Sequence, residues 1–326
     1  MLDLASTLSS VDGVCDIEVL RPLRQGSGQA PQPPRGWLLI EVPHGATRKS
    51  DYDLLAARLK STLPAQLDHF FFVNTDIGAP EGARSIANTL CAEGFAIVIA
   101  RCLIPRTFID TNRVVTKPVV SGVEGSARGQ LIGGMTPAVP GYINDAGDAA
   151  MLTVMHGVYH AVVSAAYASV CGKANGLALQ LHSFAPRSVS IEKTDERIVE
   201  SLHAAYVPEV YAKWPERPPV DLISATQDGS FKSAPDLVTA LQAAYLEAGI
   251  EAAENATYHL HPATMGLVYA RAHVDQVLCV ELNRGLISDP FVPFGVSPIS
   301  EEKIRRLTSP IARVLGDALG QRSITT

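Results

Sequence analysis

The sequence predicts one α/β domain in which a central, mostly parallel mixed sheet is flanked by helices. Short apolar runs of strand length alternate along the chain with longer stretches of helical periodicity, and this alternation is typical of a parallel sheet covered on both faces. The chain has 326 residues, of which 47% are hydrophobic and 18% are charged. Such a composition belongs to a globular protein with a large core and excludes wholesale disorder.

Six short runs have the apolar content expected of buried strands. The predicted strands are Trp37–Val42, Phe70–Val73, Ala96–Ala100, Leu177–Leu181, Val220–Ile223 and Val277–Leu282.

Six longer stretches have the features of helices. The first begins with an acidic N-cap candidate, the second follows Pro80, and the third is long, alanine-rich and amphipathic. The predicted helices are Asp51–Leu63, Glu81–Cys91, Ala146–Val170, Asp195–Ala205, Ala234–Ala248 and Ser300–Leu319.

Three segments fall outside this alternation. Residues 1–36 are interpreted as an N-terminal lead-in, since 22–36 are rich in Pro and Gly, and residues 37–326 as the main domain. Residues 116–145 form a Gly- and Pro-rich loop, and loops of this length are usually functional or mobile. Residues 255–269 precede the last predicted strand and contain two histidines, so they suit either substrate recognition or an ordinary polar connection.

Charge and cysteine content exclude some classes of protein. The formal net charge is −6 and no Lys/Arg block is present, so no nucleic-acid partner is expected. The five cysteines are scattered, which indicates reduced thiols in a cytoplasmic protein rather than disulfides. No signal peptide and no long apolar run are evident, so we expect no membrane partner. The sequence is compatible with a homo-oligomer.

Two histidines and a glutamate stand at the ends of three predicted strands. His44 follows the run that begins at Trp37, His182 closes the run that begins at Leu177, and Glu281 ends the last run. Ligands of open α/β sheets gather at the carboxyl ends of strands. The pattern therefore predicts a zinc hydrolase site, although each histidine taken alone could be a hydrogen-bonded loop residue.

A catalytic zinc usually has three protein ligands, so a carboxylate is needed beside the two histidines. Asp76 fits best because it lies just past a predicted strand, and Asp51 is the competitor, although an acidic residue at a helix start is more often an N-cap. His156 and His160 lie one helical turn apart. The metalloprotease pattern requires a glutamate where Gly157 stands, so we expect packing or supporting roles for this pair.

The string Asp110-Thr111-Asn112-Arg113 is the other distinctive motif. The planar guanidinium of arginine suits a substrate carboxylate, and the alternative is a structural pair between Asp110 and Arg113. The chain contains neither a Gly-x-Ser-x-Gly elbow nor a phosphate-binding Gly-x-x-x-x-Gly-Lys loop. A serine hydrolase and a phosphotransferase are therefore not supported.

In order along the chain, these motifs resemble the N-formylglutamate amidohydrolase family, relatives of the zinc carboxypeptidases and aspartoacylases. The motifs are Val42-Pro43-His44-Gly45, Thr75-Asp76, Ile109-Asp110-Thr111-Asn112-Arg113, Tyr159-His160, Leu181-His182-Ser183 and Val280-Glu281-Leu282-Asn283-Arg284. The resemblance covers the chain from about Trp37 to about Ile287. It implies a zinc-carboxypeptidase-like fold and a Zn²⁺-dependent catalytic domain that hydrolyses the amide of an N-acyl, N-formyl-type amino acid.

The resemblance also implies a role for each candidate residue. The implied set is His44, Asp76 and His182 as metal ligands, Glu281 as general base, Arg106 or Arg101 at the oxyanion, and Asn112, Arg113 and Thr264 at the substrate. The carboxypeptidase relatives have a glutamate three residues after the first histidine, where this chain has Thr47. The carboxylate ligand must therefore come from elsewhere in the chain.

Two alternative functions stay open. A zinc carboxypeptidase or peptidoglycan peptide hydrolase on the same scaffold would accept a short peptide instead of an N-acyl amino acid. A non-catalytic relative with a decayed site is the other alternative, because Thr47 replaces the expected ligand.

Overall fold

The structure is a computed structural model that describes residues 8–22, 33–115 and 136–322, and within them one mixed sheet of seven strands forms the centre of the molecule. The strands are β1 (Cys15–Leu20), β2 (Trp37–Val42), β3 (Ala96–Cys102), β4 (Gly176–Phe184), β5 (Val220–Leu222), β6 (Ala252–Glu254) and β7 (Val277–Asn283). Their order across the sheet is β1-β3-β2-β4-β7-β5-β6. The predicted fold class is confirmed.

The four central strands β3, β2, β4 and β7 run parallel to one another. At one edge β1 is antiparallel to β3, and at the other β5 is antiparallel to β7 and parallel to β6. Because β2, β4 and β7 are neighbours and point the same way, the residues that follow them meet at one edge of the sheet.

Helices cover both faces of the sheet. They are α1 (Lys49–Ala56), α2 (Leu67–Asn74), α3 (Ala79–Ala92), α4 (Ala146–Cys171), α5 (Ile198–Ala205), α6 (Pro208–Tyr211), α7 (Pro235–Glu247), α8 (Met265–Ala272) and α9 (Glu301–Arg322). All six predicted helices are present, and their ends differ from the predicted ends by a few residues. The largest difference is in α1, which ends at Ala56 rather than at Leu63.

Successive side chains of each strand point to opposite faces of the sheet, so the core is divided into two layers. In β2, Leu39 belongs to the layer under α4, whereas Leu38 and Ile40 belong to the layer under α3 and α9. All three side chains are fully buried. A strand that is buried on both faces has a continuous apolar sequence, as this one does.

Helix α4 is long and apolar enough to cross a membrane by length and composition, and it alone passes that test among the described residues. It packs against β2, β3 and β4, and its residues Tyr159, Val163 and Tyr167 are fully buried in the protein. Its apolar character is thus that of a core helix. The predicted cytoplasmic location stays a prediction.

One predicted strand is wrong. Phe70–Val73 lies inside helix α2, where Leu67 and Phe71, four residues apart, are buried on one face. Short apolar runs do not separate strand from buried helix by periodicity alone, and here the helical packing of Leu67 and Phe71 prevails. Asp76 therefore follows a helix instead of a strand.

The lead-in of residues 1–36 also contributes to the sheet, which the sequence did not predict. Strand β1 pairs with β3, and its first residue Cys15 is fully buried. The predicted division of the chain at residue 37 stays a prediction. In the Gly- and Pro-rich loop predicted for 116–145, residues 116–135 lie outside the described part of the chain.

Candidate functional site

His44, Asp76 and His182 form a buried cluster at the carboxyl edge of the sheet. One carboxylate oxygen of Asp76, Oδ2, lies 3.2 Å from Nδ1 of His44 and 2.9 Å from Nδ1 of His182. The three residues are at most 3% exposed. The predicted ligand set is therefore brought together in space, although its residues are 32 and 106 positions apart along the chain.

The turn after α2 brings Asp76 to the histidines. Its backbone N–H donates to the carbonyl oxygen of His44 at 3.3 Å, and the hydroxyl of Thr75 donates to the carbonyl of Ala46 at 2.7 Å. From β7's end, the buried guanidinium of Arg284 donates to the carbonyl of Val73 at 2.7 Å. These bonds join the end of α2 to the segments that follow β2 and β7, so Asp76 is held without belonging to the sheet.

Asp110 supports His44 from the other ring nitrogen. Its Oδ1 lies 2.8 Å from Nε2 of His44, and its Oδ2 is 3.0 Å from Nε of Arg106 and 3.4 Å from the guanidinium of Arg113. The structural pair of Asp110 with Arg113 was one of the two sequence interpretations. The contact with His44 was missed, because nothing in the sequence shows that Asp110 faces a residue 66 positions away.

The charges around these carboxylates favour their ionised forms. Burial alone would raise the pKa of Asp76, but the charge of His44 and the hydrogen bonds to both histidines outweigh it and hold the pKa below its ordinary value. In the same way, Arg106, Arg113 and His44 outweigh burial and hold the pKa of Asp110 well below its usual range.

The pKa of His182 is shifted in the opposite direction. Burial acts to lower its pKa, but hydrogen bonds with Asp76 and with the Cys279 thiol outweigh it and raise the pKa well above the ordinary value. A proton on this ring competes with any metal ion for the nitrogen.

The donor set fits a divalent metal ion such as zinc. Two imidazole nitrogens and one carboxylate oxygen make up the kind of three-ligand set that catalytic zinc sites use, and the ligand atoms lie within 4.8 Å of one another. The carboxylate at Nε2 of His44 leaves Nδ1 of that ring directed at the cluster, as a supporting carboxylate does for a metal-binding histidine. No other such group occurs within the ranges that the structure describes.

Glu281 faces the same region from β7. It pairs in register with His182 of β4, and both residues line one cavity. Burial, together with the negative charge of Asp76, raises the pKa of Glu281 to about 7, against the opposing charge of His182. A carboxyl group that titrates near neutrality is suited to general base work.

The cavity has a volume of about 630 Å³ and an excess of positive charge. Its ionisable lining includes the arginines Arg106, Arg113, Arg187, Arg217 and Arg284 and the acidic residues Asp76, Asp110 and Glu281. Five guanidinium groups against three carboxyl groups favour a ligand with negative charge.

The predicted substrate residues line this cavity, but most of their polar atoms already have partners. Arg113 is 6% exposed and donates to the carbonyl and the hydroxyl of Thr136 at 3.0 and 3.2 Å. Asn112 accepts from the backbone N–H of Gly266 at 2.9 Å. Thr264 caps α8, since its hydroxyl accepts from the N–H of Leu267 at 3.4 Å. Their roles at the substrate stay predictions.

The two oxyanion candidates differ in position. Arg106 lines the cavity, and its side chain is 26% exposed. Arg101 donates to the carbonyl of Gly45 at 2.7 Å and pairs with Asp51 at 3.3 Å. Because Asp51 lies in the first turn of α1 and pairs with Arg101, it is outside the ligand cluster, and Asp76 is the carboxylate that meets the histidines.

The histidine pair of α4 holds the Asp110–Arg113 turn. The ring of His156 binds the carbonyl of Arg113 at 2.9 Å, and Nε2 of His160 binds the carbonyl of Thr111 at 2.8 Å. Burial and the neighbouring His156 lower the pKa of His160 to about 4. The pair therefore consists of neutral supporting residues rather than ligands of the cluster.

Fold and site together define an α/β protein with a buried His-Asp-His cluster and a glutamate at the carboxyl edge of a mixed sheet. No protein-family model matches the chain, and no curated protein matches it. Among solved structures, the chain is similar to that of a gene product of Agrobacterium tumefaciens, with 15% identity, a TM-score of 0.53, and coverage of 94% of this chain and 95% of the other.

The chain is also similar to the solved structure of an N-formylglutamate amidohydrolase from Ralstonia eutropha. The identity is 17%, the TM-score is 0.45, and the coverage is 95% of this chain and 97% of the other. The likeness to the Agrobacterium tumefaciens protein extends over nearly the whole chain and concerns the fold.

Proposed function

We propose that this protein is a metal-dependent amidohydrolase that cleaves the amide bond of an N-acyl amino acid. The observation that supports this most strongly is the buried cluster of His44, Asp76 and His182, with Glu281 beside it in a positively charged cavity. The ordered sequence motifs, which resemble the N-formylglutamate amidohydrolase family, agree with that chemistry.

His44, Asp76 and His182 are the residues that would hold the metal, and zinc is the ion that best suits two imidazoles and a carboxylate. A zinc ion bound there supplies a Lewis acid for the amide carbonyl and lowers the pKa of water. Asp110 keeps the His44 ring oriented through the bond to its Nε2.

Glu281 is the proposed general base. Its carboxylate takes a proton from the attacking water and returns it to the amine that leaves. General base catalysis contributes about 10²–10⁴-fold, so positioning and electrostatics must supply the rest of the acceleration. The guanidinium of Arg106, in the cavity wall, is the proposed donor to the oxygen that becomes negative during the reaction.

A short peptide is the second candidate substrate, and one observation favours it. A cavity of about 630 Å³ falls within the range that holds drug-sized ligands, which leaves room beyond a small acyl group. A panel of N-formyl and N-acetyl amino acids beside blocked dipeptides separates these candidates. Hydrolysis of the dipeptides alone would favour the peptidase, and no hydrolysis of either by the zinc-loaded protein would contradict both.

A further inference from the structure

One arginine of the cavity differs from the others because it forms no ion pair with a carboxylate of the described residues. Arg106 and Arg113 pair with Asp110 at 3.0 and 3.4 Å. Arg187 pairs with Glu216 at 2.5 Å, and Arg284 approaches Asp76 at 3.9 Å. Within the described part of the chain, Arg217 forms hydrogen bonds only with neutral groups.

The guanidinium of Arg217 is held in place by neutral contacts. It lies over the rings of Phe184 and Tyr258, at 5.2 and 5.3 Å from their centres. It donates to the hydroxyl oxygens of Ser188 at 3.1 Å and Tyr258 at 2.9 Å, and to the carbonyl of Ala185 at 3.5 Å. These contacts orient the cation without forming an ion pair, and Glu281 interacts with its charge only at longer range.

Donors remain available around this group. A guanidinium has five N–H donors, and the bonds to Ser188, Ala185 and Tyr258 use three of them. The hydroxyl of Tyr258 accepts from Arg217, so its own proton can be donated elsewhere. Tyr206 also lines the cavity and is near enough to Arg217 for their charges to interact, and its buried hydroxyl has no hydrogen-bond partner among the described residues. A buried hydroxyl without a partner costs free energy that a ligand can recover.

Hydrogen bonds from Asn283 of β7 to backbone carbonyls hold Arg217 beside that strand. The side-chain amide of Asn283, at the end of β7, donates to the carbonyl of Arg217 at 3.1 Å. The N–H of Asn283 donates to the carbonyl of Pro219 at 3.0 Å. Because Asn283 is two residues beyond Glu281, the arginine and the proposed base are attached to the same strand end.

We infer that Arg217, together with the hydroxyl groups of Tyr258 and Tyr206, binds a carboxylate group of the substrate. The inference rests on the proposed function for the identity of the substrate, but the subsite stands on its own geometry. It also reassigns the substrate-binding role that the family resemblance implied for Arg113, whose guanidinium is buried and paired. A guanidinium fork that lines a cavity and forms no ion pair is the group that a carboxylate or similar oxyanion matches best.

Binding of non-hydrolysable amino acids to the zinc-loaded protein tests the subsite without turnover. The probes are glutamine, which carries only an α-carboxylate, and isoglutamine, which carries only the side-chain carboxylate. Calorimetry compares wild type with Arg217→Lys and Arg217→Gln. Arg313→Gln, which removes an exposed arginine that pairs with Glu247 outside the cavity, is the matched control.

We expect both Arg217 variants to weaken binding of at least one probe by about 10- to 100-fold, because hydrogen bonds to a charged group are lost. The probe that is affected identifies which carboxylate occupies the subsite. The control should change affinity far less. Arg217→Lys keeps the positive charge and the packing of the aliphatic stem, so it is expected to fold normally. Thermal melts of every variant check that the fold is intact.

Wild-type affinity for both probes in the two Arg217 variants would overturn the inference, as would a wild type that binds neither probe. An unchanged Kd in Tyr206→Phe would remove that hydroxyl from the subsite. The outcome is separable from the proposed function. Binding that depends on Arg217 in a protein without hydrolytic activity would keep the subsite and reject the amidohydrolase, whereas hydrolysis with Arg217-independent binding would do the reverse.

Discussion

Oδ1 of Asp110 lies 2.8 Å from Nε2 of His44, at the ring nitrogen that does not meet Asp76. This contact fixes which nitrogen of His44 faces the candidate metal site. A carboxylate in this position orients the ring and increases the basicity of the ligand nitrogen.

Asp110→Asn should therefore weaken zinc binding. We expect the Kd for zinc to rise by about 10- to 100-fold, since supporting carboxylates of metal-binding histidines have effects of that size. Competition with a zinc-binding dye measures it. Asp145→Asn is the control, because asparagine can replace aspartate as the N-cap of α4. An unchanged Kd in Asp110→Asn would mean that the contact does not orient His44.

The identity of the carboxylate ligand is tested by a matched pair of variants. Asp76→Ala removes the oxygen that meets both histidines, so zinc binding should fall to the level of adventitious binding. Asp51→Ala removes a carboxylate that pairs with Arg101 and should leave the zinc affinity near the wild-type value. Calorimetry measures both zinc affinities. If Asp51→Ala lost zinc binding and Asp76→Ala kept it, Asp51 would be the ligand instead of Asp76.

Glu281→Gln should separate metal binding from catalysis. The amide cannot take a proton, so kcat should fall by about 10²–10⁴-fold while the zinc content stays at the wild-type level. The measurements are steady-state hydrolysis of an N-acyl amino acid and elemental analysis of the same sample. Turnover close to that of wild type would exclude Glu281 as the base.

Arg106→Gln tests the proposed oxyanion donor. Because the oxygen gains negative charge only as the reaction proceeds, kcat should fall by about 10²-fold or more while KM changes little. Arg106 also pairs with Asp110, so the zinc content is measured in the same preparation. A rise in KM at unchanged kcat would instead make Arg106 a substrate-binding residue.

The half-buried His160 makes the free energy of unfolding depend on pH. Burial lowers its pKa from 6.5 to about 4, so between these pH values the unfolded chain binds a proton that the folded chain does not. Stability from this group is present above pH 6.5 and is lost as the pH falls towards 4, at up to about 1.4 kcal/mol per pH unit.

His160→Gln should remove that part of the slope. Urea unfolding at several pH values compares it with wild type and with His259→Gln, an exposed histidine that should keep the slope. Identical pH profiles for wild type and His160→Gln would show that His160 titrates alike in the folded and unfolded chains.

Much of the central sheet could be predicted from the sequence, because each parallel strand is buried on both faces and is therefore a short apolar run. The positions of His44, His182 and Glu281 near the ends of strands could be predicted directly from those runs. Asp76 was placed correctly in the cluster for a wrong local reason, since the segment before it is helix α2. The apolar run from Phe70 satisfies both patterns, and only tertiary packing decides between them.

Contacts between distant segments could not be predicted. The support of His44 by Asp110 depends on how the turn at residues 110–113 folds back over the sheet, and the bonds from His156 and His160 hold it there. Arg217 gave no signal, because a single arginine before two prolines has no periodicity or motif. The role that we infer for it depends on a comparison within the cavity, because the other arginines form ion pairs with carboxylates and Arg217 forms none among the described residues.

The central claim is that His44, Asp76 and His182 bind a catalytic metal ion. Elemental analysis of the full chain after zinc loading and dialysis, beside His44→Ala treated identically, tests it most directly. We expect about one zinc ion per chain in wild type and little in the variant. A wild type without bound zinc, or a variant that keeps the wild-type content, would contradict it.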